Sequence, residues 1–160
     1  MASGLKLDDA VLNKYETEFK KTGSVLVGMV LKIEKDATKE SIVVDQTFKR
    51  DDFDHDKFVE AFPAKEGRIG LLKFSGKLDD GRPLKKVILI LWTPMSSPPQ
   101  QRMHYASCFG TVKDELTGVD LHLQCSDIAE ISAEKIESEI RARFKEDLIF
   151  YEIILNIYLY

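Results

Sequence analysis

Stretches rich in branched and aromatic apolar residues alternate with polar segments along the chain and predict five strands. These strands span residues 25–34, 41–48, 68–76, 85–92 and 119–125. The fourth is almost entirely apolar, which indicates a strand buried on both faces. Asp80-Gly81 separates the third strand from the fourth and favours a tight turn. We therefore predict that these two strands pair as a hairpin.

Helical periodicity and capping residues predict four helices around these strands. They begin at Asp8 or Asp9, at Asp51, near Pro99 and near Ser132, and the first three end by Gly23, Phe62 and Leu116. The order is helix, two strands, helix, two strands, helix, strand, helix. It is typical of an α/β (α+β) fold in which helices flank both faces of a mixed five-stranded sheet.

Composition and charge narrow the class of protein. The chain has 160 residues, of which 44% are hydrophobic and 31% charged, as expected for one globular domain. Its net charge of −4 argues against non-specific nucleic-acid binding, which needs a strongly basic surface. The N-terminus lacks the apolar core of a signal peptide, and no apolar run has the length of a membrane span. We expect a cytoplasmic protein.

The residues that could carry chemistry lack supporting motifs. Cys108 and Cys125 are expected to be reduced thiols, because two cysteines make no disulfide framework or zinc site. His104 and Cys108 have helical spacing, but no orienting acid or oxyanion site accompanies them. The acidic run 51–56 lacks the glycine and terminal glutamate of a calcium loop. No cofactor and no metal are expected.

One segment resembles a known family. LWTPMSSPPQQRMHYAS, residues 91–107, is similar to the part of actin-depolymerising factors and cofilins where a Trp-Ser/Cys-Pro corner leads into the actin-binding helix. The family pattern basic-x-basic-Met-x-Tyr-Ala-Ser stands here as residues 100–107, and residues 116–118 match the helix exit. Matching elements extend from Ser3 to about Arg143. The resemblance implies an ADF-homology domain at 1–144 and an apolar extension at 145–160.

The family's activity is non-enzymatic. The resemblance implies that the chain binds actin monomers and filaments and promotes filament severing or depolymerisation. It also implies that the protein is itself monomeric and lies in the cytoplasm and cytoskeleton. Ser3 corresponds to the family's regulatory phosphorylation site, where a phosphate would repel acidic actin. The extension is too apolar for a solvated tail, so we expect it to pack on the domain or to add a strand.

The family pattern also implies two binding faces. The monomer face comprises Ser3, Gly4, Leu5, Arg102, Met103 and Lys113. The filament face comprises Arg82, Lys85, Lys86, Arg141 and Arg143. On the third helix, Tyr105 and Ala106 are expected to turn inward and leave Met103 exposed, where an unbranched thioether can fill an apolar cleft of the partner.

Some residues depart from the family pattern and keep alternatives open. Gln100 and Glu139 stand where cations are usual, so binding of filament sides and of phosphoinositides is expected to be weak. One alternative is a protein like glia maturation factor, which binds the actin-related-protein branching complex. Others are a monomer-sequestering variant without severing activity and a small hydrolase that uses Cys108.

Overall fold

A mixed β-sheet forms the centre of the molecule. The computed structural model describes residues 5–78, 83–144 and 151–153. The strands are β1 Lys6–Leu7, β2 Leu26–Lys35, β3 Glu40–Lys49, β4 Arg68–Leu78, β5 Pro83–Trp92, β6 Leu121–Cys125 and β7 Tyr151–Ile153. Their order is β1–β3–β2–β4–β5–β6, and β7 pairs with β4. The β1–β3 and β5–β6 pairs are parallel and the others antiparallel.

Four α-helices lie around the sheet, at α1 Asp9–Lys14, α2 His55–Glu60, α3 Pro99–Glu115 and α4 Ala133–Arg143. A π-helical segment, Tyr15–Phe19, continues α1. The predicted caps are present, since Asp8 accepts a hydrogen bond from the Ala10 amide and Ser132 accepts one from Lys135. Within the described part of the chain, no helix has the length and apolarity to cross a bilayer.

Each face of the sheet carries two helices and its own apolar core. On one face, Tyr15 and Phe19 of the α1 segment and Phe109 of α3 pack against the sheet. On the other, Phe58 of α2 and Ile136 of α4 do so. This division follows from the two-residue period of the strands, which sends successive side chains to opposite cores. The predicted fold class is confirmed.

The prediction of five strands was wrong in number. β1 has two residues and pairs in parallel with β3 across a long separation in sequence, which no local pattern reveals. β7 pairs with residues 76–78 of β4. It lies on the same edge of β4 as β2, which pairs with residues 69–72, while β5 occupies the other edge. An added strand was one of the two arrangements expected for the extension. The rest of the extension and the predicted Asp80-Gly81 turn lie outside the described residues.

The second predicted helix is shorter than expected. Residues 51–62 were predicted to be helical throughout, but a 3-10 turn at Arg50–Asp52 precedes α2, which begins at His55. Asp54 separates the two because its side chain accepts the Asp56 amide at 2.9 Å as an N-cap. Phe53 therefore lies between the 3-10 turn and α2, and its side chain packs in the core.

A buried corner connects β5 to α3. Trp92 is 2% exposed and donates its indole N–H to the Pro63 carbonyl at 2.8 Å. Its ring meets Phe62 edge to face at 5.9 Å between centroids. Ser97, also buried, turns the chain by donating both its amide and its hydroxyl to the Pro94 carbonyl. The corner therefore fixes the direction in which α3 leaves the sheet.

Candidate interaction surface

Tyr105 locks α3 onto the sheet. Its ring is 4% exposed, and its hydroxyl accepts a hydrogen bond from the Ile33 amide at 3.0 Å. Burial is the main cause of the raised pKa of this phenol. Gly67 lies so close to the ring that a Cβ there would be 2.4 Å from a ring carbon. One turn of α3 earlier, Gln101 accepts the Gly67 amide at 2.6 Å. The orientation of α3 about its axis is thus fixed.

The opposite side of α3 faces solvent. Met103 is 72% exposed, as predicted. Ala106 is exposed too, so the prediction that it turns inward was wrong. The buried stripe of α3 runs through residues 105, 108, 109 and 112, and residue 106 falls one helical step outside it. The solvent-exposed side of α3 therefore consists of Met103 and three small residues, Ala106, Ser107 and Gly110. The thioether of Met103 projects beyond these small residues.

Arg102 lies beside this surface, but it is not a freely moving cation. Its Nη1 donates to the Met95 carbonyl at 2.9 Å and to the Ser97 carbonyl at 2.6 Å. The guanidinium thus closes the β5–α3 corner. Among the described residues its Nε and Nη2 have no hydrogen-bond partner, so part of the fork remains available to an acidic group. Arg102 therefore stabilises the β5–α3 corner and also provides a positive charge at the surface.

The other residues predicted for the monomer face are only partly where they were expected. Lys113 is exposed on the last turn of α3, with its Nζ 5.2 Å from the Phe109 ring centre. Leu5 is 4% exposed and belongs to the core under α1 and α3, so its side chain is not part of a contact surface. The short strand β1 draws Leu5 inward while it lays the N-terminal segment along α3. Ser3 and Gly4 lie outside the described residues.

The predicted filament face is divided between the two sides of the sheet. Lys85 and Lys86 are neighbours on β5, so the strand period points them to opposite faces. Lys86 places its Nζ 4.2 Å from the ring centre of Phe144, the residue that follows α4. Lys85 borders a cavity on the α1 side. Lys86 also reaches the border of this cavity, and the filament face that contains both lysines stays a prediction.

The charge at the end of α4 is partly neutralised. Arg141 donates from Nη2 to Glu137, one turn earlier, at 2.9 Å. Arg143 is exposed in the last turn. Arg82 lies outside the described residues. Lys86 is therefore the predicted filament-face cation that the structure places against the residue following α4.

Sequence reasoning missed two exposed apolar side chains outside α3. Met95, in the β5–α3 corner, is 72% exposed, and Ile128, before α4, is 46% exposed. Both line a groove of about 600 Å³ whose wall includes Trp92 and Phe62. An exposed methionine after a Trp-x-Pro corner is the sequence signal that could have identified Met95. Arg102 of α3 contacts the backbone of Met95 at one end of this groove.

The residues considered for catalysis are engaged or buried. Cys108 and Cys125 are buried, are not joined by a disulfide and belong to different cores. Burial, reinforced by Glu130 and Glu139, raises the pKa of Cys125 to about 12, so this thiol is not a nucleophile at neutral pH. His104 Nε2 lies 2.9 Å from a Glu40 carboxylate oxygen and ties α3 to β3. The described residues include no cluster of three potential metal ligands.

The order of the strands and helices is that of the cofilin class of folds. Residues 4–141 match the family model described as cofilin/tropomyosin-type actin-binding protein. The chain belongs to this family.

Curated relatives and solved structures agree with this assignment. Actin-depolymerizing factor 6 of Oryza sativa subsp. japonica is 30% identical over 86% of this chain and 95% of its own length. Actophorin of Acanthamoeba castellanii is also 30% identical, over 59% of this chain and 64% of its own length. The cofilin structure from Streptomyces griseoflavus superimposes with a TM-score of 0.76 at 25% identity, and covers 88% of this chain and 99% of its own.

Proposed function

We propose that this chain binds actin monomers and filament sides and promotes filament severing or depolymerisation in the cytoplasm, as a monomer and without covalent catalysis. The supporting observation is the exposed Met103 on a helix whose opposite side is locked to the sheet. A side chain that is 72% exposed on a fixed backbone can enter an apolar cleft with little loss of backbone entropy. Met95, whose carbonyl accepts a hydrogen bond from Arg102, adds a second exposed thioether.

The direct test replaces Met103 with alanine and measures monomer binding. Truncation of a central apolar contact typically costs about 2 kcal/mol, which corresponds to roughly thirtyfold weaker binding. The melting temperature should stay unchanged, because the side chain packs little on its own protein. Val25→Ala is the matched control, since Val25 is 55% exposed but precedes β2, away from α3. Equal binding by Met103→Ala and wild type would refute the assigned face.

Arg102 is tested by Arg102→Lys rather than by truncation. The substitution keeps the charge but loses the planar fork that bridges two carbonyls of the corner. We expect a modest loss of stability and weaker actin binding. If lysine preserves both, the bonds to Met95 and Ser97 are dispensable.

Filament binding is proposed to use Lys86 and the end of α4. Lys86→Gln should lower co-sedimentation with filaments and leave monomer binding unchanged, because the lysine lies across the sheet from α3. Wild-type protein that stays in the supernatant with plain filaments would instead favour a protein that, like glia maturation factor, binds the actin-related-protein branching complex.

Monomer sequestering without severing is a second candidate. It is favoured by the pairing of Arg141 with Glu137 and by the separation of Lys85 from Lys86, which reduce the positive charge on the filament side. Filament microscopy distinguishes the two activities. Severing creates new ends, whereas sequestering slows growth without them.

Regulation at Ser3 is part of the proposal. Ser3 lies two residues before Leu5, which the structure anchors beside α3. A phosphate there would bring about two negative charges towards the surface that receives actin. Ser3→Glu should weaken monomer binding, and Ser3→Ala should not. If Ser3→Ala weakened monomer binding and Ser3→Glu did not, regulation by phosphorylation of Ser3 would be refuted.

A further inference from the structure

The C-terminal extension is joined to the sheet at the edge of β4. β7 lies antiparallel to β4, opposite residues 76–78. Residues 76 and 77 of β4 also pair with β5 on their other side. β7 therefore adds a third strand at the end of the β4–β5 pair that is remote from Trp92 and from the start of α3.

The extension begins beside the predicted filament face. It follows Phe144, whose ring centre lies 4.2 Å from the Nζ of Lys86 on β5. Six residues separate Phe144 from Tyr151, the first residue of β7. A connection of this length reaches at most about 25 Å, so the extension stays close to the β4–β5 pair. Its two described contacts are with β5 at Lys86 and with the outer edge of β4.

The charge of the extension is opposite in sign to that of the predicted filament face. Residues 145–160 contain three acids, Glu146, Asp147 and Glu152, and one basic residue, Lys145. Their other residues are almost all apolar, so contact with the domain is favoured over exposure to water. The predicted filament face consists of cations. Charge complementarity of this kind specifies which two surfaces meet.

The strand register places one of these acids on the same face of the sheet as a predicted filament-face cation. Glu152 lies opposite Lys77 of β4. Lys77 shares a face of the sheet with Ser75, two residues earlier, and Ser75 lies opposite Lys85 of β5. Glu152 and Lys85 thus occupy register positions on one face. Opposite charges that face each other across two strands stabilise the pairing, as Glu152 and Lys77 do here.

We propose that the extension, residues 145–160, is an intramolecular cover of the predicted filament face and competes with actin filaments for it. The inference rests on the proposed binding of filament sides. Molecules in which β7 has left β4 are the ones that bind filaments, so the apparent affinity falls with the fraction of molecules in this open form. Monomer binding by Met103 is not affected, because α3 begins beyond the opposite end of β5.

The test is co-sedimentation of the whole chain with filaments, for wild type and for Glu152→Pro. Proline has no amide hydrogen and does not fit the middle of a paired strand, so β7 should leave β4. If about nine-tenths of the wild-type molecules are covered, release of β7 should tighten filament binding about tenfold. Binding of actin monomers should stay at the wild-type value.

A second variant changes the charge and keeps the ability to form a strand. Glu152→Lys places two lysines opposite each other across β4 and β7, which disfavours the pairing. It should also tighten filament binding. Asp56→Lys is the matched control, because it makes the same change of charge at an exposed position of α2, outside both predicted binding faces. It should bind filaments as the wild type does.

Amide hydrogen exchange reports on the cover without actin. The amides of residues 76–78 that face β7 should exchange slowly in the wild type and faster in Glu152→Pro. Circular dichroism checks folding. If Glu152→Pro does not fold, a chain that ends after Phe144 takes its place, since this chain retains the whole family match at residues 4–141.

Four results would overturn the inference. The first is rapid exchange of the β7-facing amides in the wild type, which would refute the strand pairing. The second is unchanged or weaker filament binding after exchange has shown that β7 is released. The third is equal tightening by Asp56→Lys, which would indicate a general effect of charge. The fourth is a wild-type dimer in sedimentation velocity that Glu152→Pro converts to a monomer, because β7 would then pair with a second copy.

Failure of the cover and failure of the proposed function give different results. If the wild type and the released variants sediment with filaments equally, the cover alone is refuted. If none of them sediments, binding of filament sides is refuted, and the cover is refuted with it.

Discussion

Gly67→Ala should disturb one of the contacts that orient α3, the packing of the Tyr105 ring against Gly67. An alanine Cβ would lie 2.4, 2.7 and 2.7 Å from three atoms of the Tyr105 ring, all far inside van der Waals contact. The ring has little room to retreat, because it is 4% exposed and its hydroxyl accepts the Ile33 amide at 3.0 Å. Forced overpacking of this kind typically costs about 1–3 kcal/mol. The shift should also reach Met103, two residues from Tyr105.

The assay is urea unfolding combined with monomer binding. Gly67→Ala should unfold at a lower urea midpoint with an unchanged slope and should bind actin less tightly. Gly110→Ala is the matched control for unfolding, because a Cβ at Gly110 meets nothing within 4 Å. Alanine is favoured over glycine inside a helix by about 1 kcal/mol, so the control should be more stable than wild type.

The two glycines are thus expected to respond with opposite signs. If Gly67→Ala unfolds at the same midpoint as wild type, the Tyr105 ring is not fixed by the sheet. If it loses stability but keeps full actin affinity, the position of α3 does not control binding by Met103.

Three further predictions concern ionisation, thiols and capping. Burial, with Glu16 and Asp120, raises the pKa of Tyr15 to about 12 from 10.0, so its contribution to stability is complete below pH 10 and is lost as the pH rises towards 12. Tyr15→Phe should flatten that alkaline loss in denaturant midpoints measured from pH 9 to 12. Alkylation of Cys108 and Cys125 by iodoacetamide should proceed at the rate of global unfolding, and rapid reaction of either native thiol would contradict their burial. Ser132→Ala should cost about 1 kcal/mol in thermal unfolding, because the Lys135 amide loses its cap, and an unchanged melting temperature would contradict that.

Local patterns in the sequence predicted most of the fold. Helix starts at Asp8 and Ser132 were predictable because capping involves residues two or three positions apart. The β4–β5 pair was predictable because its two strands are close in sequence and both are apolar. β1 was not, since its two residues depend on β3, which is more than thirty residues away. Leu5 was misplaced for the same reason.

The candidate surface was predictable in its centre and less so at its edges. Exposure of Met103 follows from the helical period once Tyr105 is taken as buried. The same helical period predicts that Ala106 is exposed. The two-residue period of a strand predicts that Lys85 and Lys86 point to opposite faces of the sheet. The bonds of Arg102 to two corner carbonyls could not be predicted, because they depend on how the Pro94–Ser97 turn folds back towards α3.

The position of Trp92 gives this protein a built-in optical reporter. It is the one tryptophan in the sequence, so intrinsic fluorescence excited near the red edge of protein absorption comes from a single indole. That indole is shielded from water, yet it lines the same groove as Met95 and Ile128. A partner that covers the groove would alter the emission of this indole without any attached dye.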